Sequence, residues 1–491
     1  MADGSWPHEP CLRGHSVERE STVLVQGAGG FWLAFVFIHA IGNRGGDVSR
    51  LAIMGLIISL AWCVATPGAK ADDTDQQEEL RQLQQDIETI QRELVRMQQR
   101  LADMDAERQR LESEREQAQL RLDEVEAMEQ RIAAVETATE EDADGINFGG
   151  AVRLNYGWRD YDDQNKDRLG DFELELFRIN VSGSLGNVLL DAEWRRYNDF
   201  QAIHHAWVGY DFSEALQMQL GITQVPFGIL PYASHSFWFT GNYYLGYEDD
   251  YDTGVKFIHR PSDDWTFHYA FFKNPEYAND ARADRYSFDL VTAGDQQNTE
   301  TNQINFRAER HLQLSDTSRM DVGLSLQAGQ MYNRATERNG DRWAVGGHLD
   351  SYFGPWNLRL QALRYQYNPK NPEGVSDDFV QKGAFAFPFL MASSADVYSY
   401  SISRAFDVDW GPISGLNCYN EGTYIDPRVS NSAESIQSVT GCSVAAGGVF
   451  AYFDWIAGKN MWFAGGDGIG LDGASAGRWR SRLNINIGYY F

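Results

Sequence analysis

Lysine is nearly missing from this chain: seven residues in 491, so arginine carries most of the positive charge. Acids outnumber bases by 70 to 42, a net charge of −28, which excludes the basic face that a nucleic-acid binder needs. Four cysteines exclude a disulfide-dense scaffold, and no CxxC or Cys/His cluster points to a metal. Long apolar runs are scarce and confined to the N-terminal region, which excludes a polytopic helical membrane protein. Between 72 and 144 there is no glycine, proline or aromatic residue. Aromatics abound elsewhere and make up 13% of the chain.

The main apolar run, Leu51–Ala65, follows Arg50 and precedes Ala69-Lys70-Ala71. A charged residue, an apolar stretch and an A-x-A site predict a secretory signal peptide over 48–71. Residues 1–47 carry no recognisable function. The expectation is a true start near Val48 and a mature chain from Asp72.

Residues 72–144 predict a periplasmic α-helical coiled coil. Leu80, Ile87, Leu94, Leu101 and Leu122 share one seam position; Leu83, Ile90, Met97, Met104, Leu111, Ala118, Val125 and Ile132 share the other. Thirteen of sixteen seam positions are apolar, over a rod of about 80 Å at 1.5 Å per residue. Such a seam implies self-association, because exposing it to water is unfavourable. The mixed Leu, Ile and Met residues allow a trimer.

From Gly145 the period drops to two. In Arg478–Phe491, one face carries Trp479, Leu483, Ile485, Ile487, Tyr489 and Phe491; the other carries Arg478, Arg480, Arg482, Asn484 and Asn486. Val188, Leu190, Ala192 and Trp194 oppose Asp191, Glu193, Arg195 and Tyr197 in the same way. Segments of about 9–14 residues, aromatics at their ends and a terminal aromatic predict an all-β transmembrane barrel over 145–491. Phe491 would be its assembly signal, and the cell outer membrane its location. Fifteen strands are countable. Bacterial barrels have even numbers, so sixteen are expected, with one hidden between Asp426 and Gly468. Phe212–Ala215 and Pro261–Asp264 read as short periplasmic turns; Leu230–Asp250, Asn274–Thr301 and Asn368–Ser394 read as long loops. Cys418 and Cys442 are either disulfide-bonded or two free thiols.

A barrel of this size encloses an aqueous channel. Alternation places Arg153, Arg195, Arg307, Arg359, Arg478, Arg480 and Arg482 in its lining. They form either a track for anions or a ladder paired with acids such as Glu173, Glu175, Asp191, Glu193 and Glu309. The segment from 145 on holds 42 acids against 28 Lys and Arg, and many of those acids fall in expected loops. The stretch after the fifth strand, Gly221–Asp252, is too apolar for a floppy external loop. It is expected to fold inward and narrow the channel, with Pro226, Phe227, Gly228, His235, Glu248, Asp249 and Asp250 as its candidate residues.

The strand Ala215–Thr223 followed by Val225-Pro-Phe-Gly228 resembles the phosphate-selective porin O and P family, as do Phe172–Asn198 and Ala202–Asp211. The resemblance implies a trimeric sixteen-stranded porin taking up anions or small solutes. The P-F-G turn, the loop after it and the arginine ladder are what carry over. Phosphate-selective members use lumen lysines, which this chain has few of. The coiled coil is similar to the extension of sugar porins.

The expected function is therefore passive diffusion of small hydrophilic solutes, with a preference for anions. Its partners would be two further copies, outer-membrane lipid and the solutes, with no nucleic acid, cofactor, metal or catalysis. A hydrolase would need Ser, His and a carboxylate held together, but His204, His205, His235, His259, His268, His311 and His348 are scattered with no nucleophile motif. The alternative is a structural anchor that tethers the envelope to the cell wall through the coiled coil.

Overall fold

A computed structural model of the chain describes residues 81–83, 85–88, 90–101, 104–105, 108, 145–278 and 283–491. The expected signal peptide, the extension before it and most of the expected coiled coil lie outside the described residues. The chain divides into two compact units at Gln99/Arg100. In the first, the described residues are helical, and Leu83, Ile87, Leu94 and Met97 are exposed.

In the second, sixteen antiparallel strands close into a barrel. They are β1 (Gly145–Arg159), β2 (Asp171–Leu185), β3 (Val188–Tyr197), β4 (Gln201–Ser213), β5 (Leu216–Gln224), β6 (Tyr251–Ser262), β7 (Trp265–Pro275) and β9 (Asn298–Ser315), then β10 (Ser318–Asn333), β11 (Arg338–Phe353), β12 (Trp356–Asn368), β15 (Ser394–Phe406), β16 (Gly415–Pro427), β17 (Ser435–Ala446), β18 (Val449–Lys459) and β20 (Trp479–Tyr490). The strand missed by the pattern count does lie between Asp426 and Gly468: the single segment expected near 444 is two strands, β17 and β18.

Period-two alternation puts each strand's apolar residues on the outside. Leu174, Ile179, Leu220, Leu324, Leu360 and Trp455 are all exposed there, whereas Arg178, Asn180, Ser325, Gln361 and Asp454 are buried inside. An apolar exterior of this extent is stable only against lipid. Closure is by β1 against β20, from Ala151↔Tyr490 to Arg159↔Arg482, and Phe491 exchanges two backbone hydrogen bonds with Gly150, at 2.8 and 3.1 Å. Closure removes the sheet edges that would otherwise present unpaired backbone groups.

One rim carries short turns. Two-residue hairpins need left-handed backbone, and Gly186 (φ 56°) and Gly447 (φ 63°) supply it. The other rim carries the long connections, and these turn inward. Four short strands, β8 (Asp289–Leu290), β13 (Phe379–Ala384), β14 (Phe387–Ala392) and β19 (Gly468–Ile469), pair as a second sheet in the order β19-β14-β13-β8. Its hairpin tip, Phe385, packs edge-on against Tyr197 and Phe200, with centroids at 5.4 and 5.7 Å. These rings join Tyr243, Tyr244, Tyr286, Phe288 and Phe463 in the main apolar cluster of the barrel.

Cys418 and Cys442 are register partners on β16 and β17 and form a disulfide.

Candidate functional site

The segment between β5 and β6 crosses the barrel interior. Its base is closed by the Val225 N–H on the Asp250 carbonyl at 2.8 Å. The P-F-G turn is held at the far wall: the Gly228 N–H donates to Ser325 Oγ at 2.9 Å, and Arg307 Nε donates to the Gly228 carbonyl at 2.7 Å. Gly228 has φ +67°, and a Cβ there would stand 2.3 Å from Gln361 Oε1, so a glycine is needed twice over. Phe227 is buried beside Tyr247, and Pro226 precedes it in the turn.

Further on, Arg359 donates to the Ser234 carbonyl at 2.9 Å. The Glu421 carboxylate accepts from the N–H groups of His235 and Ser236 and from the Ser236 hydroxyl. Gly241 N–H reaches Thr423 Oγ1 at 2.8 Å, and Gln437 reaches the Phe239 carbonyl at 2.8 Å. The segment is thus fastened in turn to β10, β9, β12, β16 and β17.

Of the four ionisable residues expected in this loop, His235 and Asp249 line the main cavity. Glu248 instead turns back into the loop, accepting from Ala233 N–H (3.0 Å), Ser234 N–H (2.9 Å) and Thr240 Oγ1. Burial pushes its carboxyl up to about 7, against the opposing pull of the Thr240 and Ser234 hydrogen bonds. Asp250 is buried, and neither it nor Glu248 lines the main cavity.

That cavity has a volume of about 830 Å³. A second, of about 680 Å³, lies among the short turns around Glu214 and Asp263; Leu230 of the inward loop borders both. The aromatic wall of the main cavity includes Phe237 and Trp238 of the loop, Phe385 and Phe387 of the inner hairpin, and Phe463 of the short turn Trp462–Ala464. Most of its charged lining comes from the barrel, with Asp249 added by the loop.

The expected arginines separate into three groups. Arg153, Arg195, Arg307 and Arg359 point inward, each against an acid: Arg153–Glu175 at 2.8 Å, Arg195–Glu193, Arg307–Glu309 and Arg359–Asp350 at 3.2 Å. Arg480 donates to the Gly465 carbonyl, and Arg482 lies 3.8 Å over the Trp238 ring. Arg478 precedes the first residue of β20 and is exposed.

Two groups escaped sequence reasoning. His204 and His205 are consecutive, yet both are buried and line the cavity. A bulge explains this: Glu193 faces His205 and Trp194 faces Ile203, leaving His204 as the extra residue. Their Nδ1 atoms are 2.8 Å apart, so one ring donates to the other. Two neighbouring histidines in an alternating strand were the available signal.

The second group is an ionic cluster that holds the inner sheet. Glu300 of β9 pairs with Arg342 of β11 and, at 3.2 Å, with Lys382 of β13; Lys382 also donates to the Phe288 carbonyl at 2.9 Å. Burial, the largest single effect, draws the Lys382 ammonium down, but Glu300, Tyr367 and Asp289 together outweigh it and the net shift is upward. Its partners lie on three distant segments, which no sequence spacing reveals.

No family model matches the chain, and no curated protein is similar to it at a significant level. Among solved structures, the chain is similar to the outer membrane channel DcaP of Acinetobacter baumannii, with 10% identity and a TM-score of 0.44 over 72% of this chain and 99% of that one. An anion-selective porin from Comamonas acidovorans gives 11% and 0.45 over 71% and 99%. Salmonella typhi OmpF in complex with daunomycin gives 11% and 0.48 over 72% and 99%.

Proposed function

We propose that this protein is an outer-membrane porin, a water-filled channel for passive diffusion of small hydrophilic solutes with a preference for anions. The observation that carries the reading is a closed sixteen-stranded barrel, apolar outside, whose interior holds a charged cavity of about 830 Å³. The segment 225–250 is its constriction: it crosses the interior and borders both cavities through Leu230. Most lumen arginines are paired, which favours a stiff ladder over a bare cationic track. Among the described residues Arg480 and Arg482 have no acid as ion-pair partner, and of the two Arg482 lines the main cavity, so net preference rests on it.

The channel works as a trimer in this reading. Hydrogen bonds of Asn420 with Tyr400 Oη and Thr440 Oγ1, both at 2.7 Å, lie on the outer face of β15–β17, where an interface between copies suits polar groups better than lipid does. The exposed heptad seam supports self-association in the periplasm, where the same helices would be placed to reach the cell wall.

The test is stepwise conductance in planar bilayers, followed by reversal potential across a salt gradient. Wild type is expected to favour the anion, Arg482→Gln to lose that preference, and Arg478→Gln to keep it. A protein that inserts but stays electrically silent refutes the channel.

A further inference from the structure

Arg482 differs from the other cavity arginines in its surroundings. Among the described residues no carboxylate stands within ion-pair distance of it; its polar partners are the Phe463 carbonyl at 3.5 Å and the Tyr161 hydroxyl, with Tyr244 and Arg159 as further electrostatic neighbours. The guanidinium carbon lies over the Trp238 ring, 3.8 Å from its centroid. A buried cation without an anion is unfavourable unless something else supplies the charge.

Three donors in the same place lack acceptors. Trp238 Nε1 and Arg482 Nε are both buried without a hydrogen-bond partner, and so is the amide of Asn484, two residues along β20 and fully buried. Both residues of β20 and Trp238 line the cavity. Three orphaned donors and one unbalanced positive charge describe a receptor for a carboxylate.

The rest of the lining is aromatic. Trp238 meets Phe463 at 5.6 Å, and Phe463 stacks on Tyr244 at 4.2 Å. A hydrated inorganic anion gains nothing from such rings. A planar apolar body attached to a carboxylate gains stacking as well as charge pairing.

We propose that Arg482, Trp238 and Asn484 form a binding subsite for an organic monoanion, a carboxylate carried on a planar apolar ring. The anion's carboxylate takes the Arg482 and Asn484 donors, and its ring rests against Trp238 and Phe463. This deepens the anion preference proposed above and rests on the same lumen.

The test is calorimetric titration of the detergent-solubilised protein with benzoate, acetate and inorganic phosphate, paired with benzoate block of single-channel current. Benzoate is expected to bind saturably and at least tenfold more tightly than acetate or phosphate. Arg482→Gln should lose at least tenfold in benzoate affinity, with Arg482→Lys intermediate. Trp238→Phe, which keeps a ring but removes the N–H, should lose a few-fold and remains decisive if Arg482→Gln does not fold. Unchanged affinity in both Arg482→Gln and Trp238→Phe overturns the subsite, and so does equal affinity for the three anions. A conducting channel that ignores benzoate removes the subsite alone; benzoate binding to a silent protein removes the channel and leaves the subsite.

Discussion

Arg307 on β9 donates from Nε to the Gly228 carbonyl across 2.7 Å, joining the barrel wall to the turn of the inward segment. The same side chain pairs with Glu309, so one guanidinium serves both wall and loop. Replacing it by Gln is expected to release the turn. A hydrogen bond to a charged group contributes about 1.5–3 kcal/mol. Arg307→Gln should therefore raise single-channel conductance and open-channel noise. Unaltered current traces would mean that the loop is held elsewhere.

Gly228 offers a sharper probe of the same turn. Any side chain meets both the left-handed backbone, at about 1–2 kcal/mol, and the Gln361 side chain. Gly228→Ala is expected to lower the thermal unfolding midpoint in detergent. Adding Gln361→Ala should recover the part due to collision and leave the backbone part. Full recovery would show that φ at 228 is not constrained.

Glu248 predicts a pH dependence. Its folded value of about 7 stands above the ordinary 4.5 because burial disfavours the charge. Its contribution is then fully present below about 4.5 and is lost as pH rises through about 7, an effect of order 3 kcal/mol. Wild type should unfold at a lower temperature at pH 8 than at pH 5. Glu248→Gln keeps the shape and the acceptor for Ala233 and Ser234, and should flatten that difference. An equal slope in both proteins removes Glu248 from the pH response.

The Cys418–Cys442 disulfide joins two strands that already pair along their length. A cross-link over a loop of this size contributes about 3 kcal/mol in the chain-entropy model. Reduction, or Cys418→Ser with Cys442→Ser, should lower the unfolding midpoint while leaving conductance unchanged, because the pair lies outside the lumen lining. Altered conductance would tie the bond to the channel.

Much of the barrel was legible because a strand that separates lipid from a wet interior must alternate, and alternation is local. It separated Val188, Leu190 and Ala192 from Asp191, Glu193 and Arg195 before any pairing was known. The same rule failed where geometry is not local. It counted β17 and β18 as one, although Gly447-Gly448 turns the chain between them. It could not place His204 inward, because a bulge is a mismatch between two strands and not a property of either.

The inward segment shows the same divide. Its apolar composition and the P-F-G turn marked Gly221–Asp252 as a loop that folds inward. Its seats on Ser325, Gln361, Glu421 and Thr423 lie roughly 100 to 190 residues away in sequence. The four acidic and histidine candidates looked alike as a string, but folding buried Glu248 and Asp250 and left His235 and Asp249 on the cavity.

Sequence alone determined that the chain after Gly145 makes strands, which faces are greasy and which wet, and that arginine supplies the interior positive charge. Arg195 and Arg307 find their acids two residues along their own strands, in Glu193 and Glu309, whereas tertiary structure supplied Glu175 of β2 to Arg153 and Asp350 of β11 to Arg359. It therefore also decided that Arg482 is left facing Trp238 with no acid beside it. Alternation depends on neighbours one residue away, whereas the surroundings of Arg153, Arg359 and Arg482 depend on which other segments closure of the barrel brings within a few ångströms.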